Sequence, residues 1–181
     1  MTLSRKIAAA VDECTAPLEA PREVTVEEGP NCLTLHLSAA GPVGLALDSL
    51  DFATTSRPEW SPEALRAWGE RLTARLTYLM EPLVVLEHDP VDNQVKIRSE
   101  SPTQRSGRRT YYEVRLYPRG ALRLSRVSYD EATRKRQPAS CQLTREALER
   151  LADDLVAASP DERRAPDLSP SPAGRGCPKG G

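Results

Sequence analysis

The sequence predicts an α+β fold in which an antiparallel sheet of about six to eight strands packs against two or three helices. Alternating apolar and polar residues, which are typical of half-buried strands, recur between turn signals along most of the chain. Stretches with apolar residues at helical spacing separate the groups of strands. The clearest of these begins at Ser61-Pro62-Glu63, where a capping hydroxyl precedes proline at the first helical position.

The strongest strand pattern runs from Arg109 to Tyr129 and predicts a β-hairpin. Pro118-Arg119-Gly120 supplies the turn, because proline presets φ and glycine can adopt a positive φ. Pairing across that turn places Arg115 opposite Arg123 on the outer side. Farther along the second arm the apolar positions change phase, which predicts a bulge at Ser125 and Arg126.

Shorter strands are expected on both sides of this hairpin. Alternating residues around the Gly29-Pro30 turn indicate a second hairpin, followed by a third strand over 43–47 and a connection over 51–59. Polar residues over 99–108 indicate a mobile loop. The remaining strands are expected over 83–86, 95–97 and 134–142, the last as an edge strand that Pro138 interrupts.

Two long helices are predicted over 62–80 and 145–157, and a short amphipathic helix is predicted near the N-terminus. The two long helices start alike, with Ser61-Pro-Glu-Ala-Leu-Arg in one and Thr144-Arg-Glu-Ala-Leu-Glu in the other. Each follows a group of strands. Two similar strands-then-helix units are therefore one interpretation, and convergence of good helix starts on the same residues is the other.

The chain of 181 residues, 39% of them hydrophobic, is long enough for one domain, which is predicted over residues 1–158. From 159 to 181 a Pro/Gly-rich composition predicts a disordered C-terminal tail. No apolar run is long enough to cross a membrane, so a cytoplasmic location is expected by default. The four cysteines lack metal-ligand spacing and are expected to be reduced.

Charge is distributed unevenly along the chain although the formal net charge is only −1. Residues 1–95 contain 7 Lys/Arg and 15 Asp/Glu, whereas residues 96–136 contain 12 and 4. Such an asymmetry indicates compensation within the fold, pairing between two copies, or an acidic partner for the basic part.

Sequence motifs for catalysis are not recognisable, because no phosphate-binding glycine loop and no nucleophile motif occurs. A non-enzymatic protein without a cofactor is therefore expected. His88 and Asp92 are weak candidates for metal ligands, and an acidic turn at the end of a strand is the more ordinary interpretation. An enzyme or metal-binding protein whose site is assembled from distant residues remains an open alternative.

The hairpin is predicted to expose arginine and tyrosine side chains on one face of the sheet. This composition is typical of protein-binding surfaces, so the sequence predicts an interaction, chaperone-like or adaptor-like domain that binds an acidic protein surface or a second copy. Single-stranded nucleic acid is the alternative ligand, since arginines neutralise phosphates and tyrosines stack on bases. A solvated face without a partner is the third interpretation. The predicted binding residues are Arg109, Tyr111, Arg115, Tyr117, Arg119 and Arg123.

Overall fold

The computed structural model describes residues 1–14, 21–56, 60–89 and 91–159. These residues form an open antiparallel sheet of ten strands and three helices, which confirms the α+β class. The helices are α1 (Leu3–Asp12), α2 (Pro62–Arg75) and α3 (Arg145–Ala158). The strands are β1 (Arg22–Glu28), β2 (Asn31–Ala40), β3 (Gly44–Thr54), β4 (Leu83–Asp89), β5 (Gln94–Ser99), β6 (Thr103–Arg105), β7 (Arg108–Tyr117), β8 (Ala121–Asp130), β9 (Lys135–Ala139) and β10 (Cys141–Thr144).

The main path through the sheet follows the order β1-β2-β3-β8-β7-β5-β4. At its centre lies the predicted hairpin, now β7 and β8, whose register pairs Tyr117 with Ala121 and Arg115 with Arg123 as expected. Gly120 has a φ of +73°, and a Cβ atom there would lie 2.6 Å from the carbonyl oxygen of Thr54. Only glycine therefore fits this turn without a shift of the backbone.

The sheet forks where β3 and β8 separate. These strands pair from Ala53 and Ala121 to Ser49 and Ser125. Beyond that point the rest of β3 pairs with β10, and the rest of β8 pairs with β9. Since β9 and β10 are joined through Ser140 alone, this one segment bridges the fork.

All three helices pack on one face of the sheet. α1 contacts β1 and β2, α2 contacts β4 and β5, and α3 contacts both other helices as well as β3 and β10. The core between helices and sheet is built mainly from leucine, with Trp60 and Trp68 packed together at a centroid distance of 4.6 Å. The helices leave the opposite face of the sheet open.

Several predicted boundaries were wrong. α2 ends at Arg75 and does not reach residue 80, because the chain leaves helical geometry at Leu76, whose ψ is 54°. β3 continues to Thr54 through part of the predicted connection. The predicted loop over 99–108 contains the strand β6, which pairs with β7 across a turn where Ser106 and Gly107 both have positive φ. That conformation matches a tight hairpin turn.

The predicted bulge in β8 was also wrong, because β7 and β8 pair without a register shift. The alternation continues, and Arg126 occupies a position on the helix-covered face. Its Nη2 donates to Oε1 of Glu81 at 2.7 Å, and both side chains are at most 10% exposed. Ser99 and Thr103 also donate to the Glu81 carboxylate. A buried ion pair therefore takes the place of an apolar contact.

Some predictions are not decided by the described residues. The tail from Pro160 onward lies outside them, so its predicted disorder is not addressed. The domain boundaries 1–158 and the relation between the two strands-then-helix units stay predictions. Within the described part of the chain, none of the helices combines the length and apolar character needed to cross a bilayer.

Candidate functional site

The open face of the sheet carries a cluster of basic side chains, which we call the basic face. It comprises Lys96 and Arg98 on β5, Arg115 on β7, Arg123 on β8 and Arg136 on β9. On the three central strands these residues point away from the core, since the residues before and after each of them are buried. Their side chains are about a third to a half exposed.

Glu113 lies at the centre of the basic face, with its side chain 7% exposed. Oε1 accepts from Nε and Nη2 of Arg115 at 3.0 and 2.7 Å, and Oε2 accepts from Nη2 of Arg136 at 2.7 Å and of Arg98 at 3.4 Å. Burial opposes ionisation of Glu113, but the hydrogen bonds and charges of Arg115 and Arg136 outweigh it and lower the pKa. One carboxylate is thus shared by three guanidinium groups.

A row of three cations crosses adjacent strands beside this cluster. The register pairs Arg123 with Arg115, and Arg115 with Lys96. Neighbouring strands lie about 4.8 Å apart, so like charges directly face one another. Each member of the row has one carboxylate beside it: Glu113 pairs with Arg115 in the middle, Asp51 lies 3.7 Å from Nε of Arg123, and Glu87 lies 3.1 Å from Nζ of Lys96.

The predicted tyrosines contribute less open surface than expected. Tyr111 is on the open face but only 7% exposed, because the guanidinium carbons of Arg98 and Arg136 lie 4.7 and 5.9 Å from its ring centroid. Such cation–π contacts fix the arginines in place. Tyr117 is half-buried at the end of β7. The two tyrosines therefore expose little aromatic surface, and Tyr111 mainly holds the arginine side chains in position.

Of the other predicted binding residues, Arg109 and Arg119 lie away from the cluster. Arg109 is near the start of β7, where its Nε donates to Oε1 of Glu131 at 2.5 Å. Arg119 is exposed in the β7–β8 turn and has no ion pair with any residue that the structure describes. The structure therefore brings together Tyr111, Arg115 and Arg123 from the predicted set.

The opposite end of the open face is acidic. His36 lies on β2 between two carboxylates. Its Nε2 is 2.8 Å from Oδ2 of Asp51, and its Nδ1 is 3.6 Å from Oε2 of Glu23. These three side chains lie on adjacent strands β1, β2 and β3. The open face thus changes from acidic at β1–β3 to basic at β5–β9.

The weak metal candidates do not form a ligand set within the described residues. Nε2 of His88 lies 2.9 Å from Oδ1 of Asn93. The carboxylate of the neighbouring Asp89 accepts the backbone N–H groups of Val91 and Asp92, and these hydrogen bonds lower its pKa. No group of three acidic, histidine or cysteine side chains with metal-binding geometry occurs in the described ranges. The cluster is a turn stabilised by Asp89.

Sequence reasoning missed Lys96, Arg98, Glu113 and Arg136 as members of the site. Lys96 and Arg98 alternate with buried residues on β5, but this local pattern does not show that they lie beside the hairpin. The signal that joins them is the pairing of Arg98 with Glu113, which depends on the register between separate strands. Arg136 was expected only on an edge strand.

Comparisons with known proteins identify no family. No family model matches the chain, and no curated protein sequence matches it. Among solved structures, the crystal structure of WHY1 from Arabidopsis thaliana is similar at 11% sequence identity, covering 80% of this chain and 92% of that chain, with a TM-score of 0.23. A TM-score of this size supports no conclusion about fold or function.

Proposed function

We propose that the basic face binds an acidic protein surface, so that the chain acts as a non-enzymatic interaction module. The observation that carries this proposal is the row formed by Lys96, Arg115 and Arg123, in which like charges face one another on adjacent strands. Like charges directly opposite one another destabilise a pair of strands, and each of these cations has only one carboxylate beside it. Carboxylates of a partner would add counter-charge and reduce this repulsion on binding.

The arrangement around Glu113 supports the same proposal. Its hydrogen bonds and the ring of Tyr111 hold Arg98, Arg115 and Arg136 in defined positions before a partner arrives. Arginines that are already ordered lose less conformational freedom on binding, which favours affinity. Acidic residues interspersed in the face suit a protein with a patterned surface better than a uniform polyanion.

Single-stranded nucleic acid is the second candidate, and the cation row favours it. Three adjacent positive charges could neutralise phosphates, and half-buried Tyr117 lies on the same face of β7. Against this candidate, Tyr111 is covered by guanidinium groups and cannot stack on a base. Self-association is a further form of the proposal, because the acidic end of the open face offers Glu23 and Asp51 to the basic face of a second copy.

The test is a fluorescence-anisotropy titration with two labelled probes, an Asp/Glu-rich peptide and oligodeoxythymidine. We expect the peptide to bind and Arg115→Glu/Arg123→Glu to abolish that binding. The matched control is Arg5→Glu/Arg66→Glu, which makes the same change of charge at exposed positions on α1 and α2. Equal loss in the control would mean that only net charge matters and would refute the proposal.

The oligonucleotide decides between the two candidates. Tighter binding of the oligonucleotide, with a log-log salt slope of roughly −2 for about three neutralised phosphates, would replace the protein-binding proposal by the nucleic-acid one. Analytical ultracentrifugation over a concentration series addresses self-association. We expect any dimer to dissociate in the Arg115→Glu/Arg123→Glu variant and to survive in the control.

A further inference from the structure

A depression lies on the open face beside the fork between β3 and β8. It forms because β8 changes partner there from β3 to β9, so the surface is not flat at this point. Three strands contribute guanidinium groups to it, and two serines from the last β3–β8 pair contribute hydroxyls. Its polar lining includes Ser49, Glu113, Arg115, Arg123, Ser125 and Arg136.

The arginines of this depression have unused hydrogen-bond donors. Arg115 donates to Glu113 through Nε and Nη2, and Arg123 donates to Oγ of Ser49 through Nη2 at 3.0 Å. Within the described part of the chain, Nη1 of Arg115 and Nη1 of Arg123 have no hydrogen-bond partner. Since each guanidinium carries five N–H donors, the depression offers several donors to an incoming anion.

Positive charge also exceeds negative charge at this place. Glu113 is the carboxylate shared by Arg98, Arg115 and Arg136, and Asp51 is 3.7 Å from Arg123. Asp48 also lines the depression but is exposed. The four arginines therefore outnumber the three carboxylates by one, and the unused N–H donors of Arg115 and Arg123 suit an anion with several acceptor oxygens.

We propose that this depression binds a phosphoryl group carried by a serine or threonine of the acidic partner. This inference rests on the proposed function and specifies the chemistry of the partner. A phosphorylated side chain carries about −1.5 to −2 charges near pH 7 and three acceptor oxygens, which matches converging arginines from β7, β8 and β9. The hydroxyls of Ser49 and Ser125 would add neutral donors at the base of the site.

The chemistry favours a phosphomonoester over the two other common anions. A partner's carboxylate carries one charge and two oxygens, so it satisfies fewer of the free donors of Arg115 and Arg123. A nucleic-acid phosphodiester also carries a single charge and has two non-bridging oxygens, so it too satisfies fewer of these donors than a phosphomonoester with three.

The experiment compares three labelled Asp/Glu-rich peptides that differ at one central position, which is phosphoserine, glutamate or serine. We expect the phosphoserine peptide to bind about tenfold more tightly than the glutamate peptide. Arg123→Gln and Arg136→Gln should each remove most of this preference. Lys96 lies outside the depression, so Lys96→Gln should weaken the binding of all three peptides by a similar factor and leave the preference for the phosphoserine peptide unchanged.

The possible outcomes separate this inference from the proposed function. Equal affinities for the phosphoserine and glutamate peptides would overturn the inference and leave acidic-protein binding in place, whereas failure of every peptide to bind would overturn both. Displacement of the phosphopeptide by inorganic phosphate at equal concentration would show a site for the free anion and overturn a role for the partner's residue. If oligodeoxythymidine displaced the phosphopeptide more effectively than inorganic phosphate does, the inference would be overturned in favour of nucleic-acid binding.

Discussion

Replacement of Glu81 by leucine should destabilise the protein strongly, because it leaves Arg126 buried without its counter-charge. The Glu81 side chain is 4% exposed and that of Arg126 is 10% exposed, with 2.7 Å between the paired atoms. Removing one partner of a buried ion pair costs about 3–5 kcal/mol. The loss also leaves the hydroxyls of Ser99 and Thr103 without their acceptor.

The double variant Glu81→Leu/Arg126→Met is the informative control. Replacing both charges by apolar side chains is often nearly neutral, so the double variant should recover most of the stability that Glu81→Leu loses. Urea unfolding can be followed by the fluorescence of Trp60 and Trp68, which are both buried. With an m-value of about 2 kcal/mol/M, the single variant should lower the unfolding midpoint by roughly 1.5–2.5 M.

Two results would refute this reasoning. A loss of less than about 1 kcal/mol for Glu81→Leu would mean that Arg126 finds water or another partner, and that burial does not make this ion pair important for stability. A double variant as unstable as the single one would mean that packing volume, and not charge, determines the stability at this position.

Three further predictions concern other parts of the fold. Gly120→Ala should cost at least about 1–3 kcal/mol in the same urea assay, since φ is +73° and the added Cβ would approach a backbone oxygen; a neutral effect would contradict the turn geometry. Arg115 and Arg136 lower the pKa of Glu113, so the ionised Glu113 side chain stabilises the fold above the ordinary glutamate pKa of about 4.3, and this stabilisation is lost as the pH falls below it. Glu113→Gln should therefore reduce the dependence of unfolding on acid pH. An unchanged pH profile of stability would contradict this prediction. Burial raises the pKa of the Cys141 thiol to about 11, so Cys32 should react before Cys141 when the native protein is alkylated at pH 8. Mass spectrometry identifies the modified cysteine. Early modification of Cys141 would show that the core around it opens.

The central hairpin could be predicted from the sequence because its determinants are local. Alternation identified the two arms, and the Pro118-Arg119-Gly120 turn fixed the register between them. The starts of α2 and α3 were equally clear, since the side chains of Ser61 and Thr144 cap them as expected. In each case the residues that decide the structure lie within a few positions of one another.

Features that depend on distant residues could not be predicted in this way. Glu81 and Arg126 are 45 positions apart, and only the folded sheet places them together. The sequence alone does not show that Arg126 is buried together with an acidic partner. Its polar side chain was therefore interpreted as a sign that the apolar pattern of the strand changes phase. The cluster on Glu113 likewise requires the register of β5 against β7, which no local turn determines.

The central claim, that the basic face is the binding surface, is tested most directly by NMR mapping of bound peptide. The probe is the Asp/Glu-rich peptide, titrated into ¹⁵N-labelled protein while backbone amides and arginine Nε–Hε signals are recorded. We expect the largest changes at Arg98, Arg115, Arg123 and Arg136, with little change on α1 and α2. Changes confined to the helices or to β1–β2, or no changes at saturating peptide, would contradict the claim.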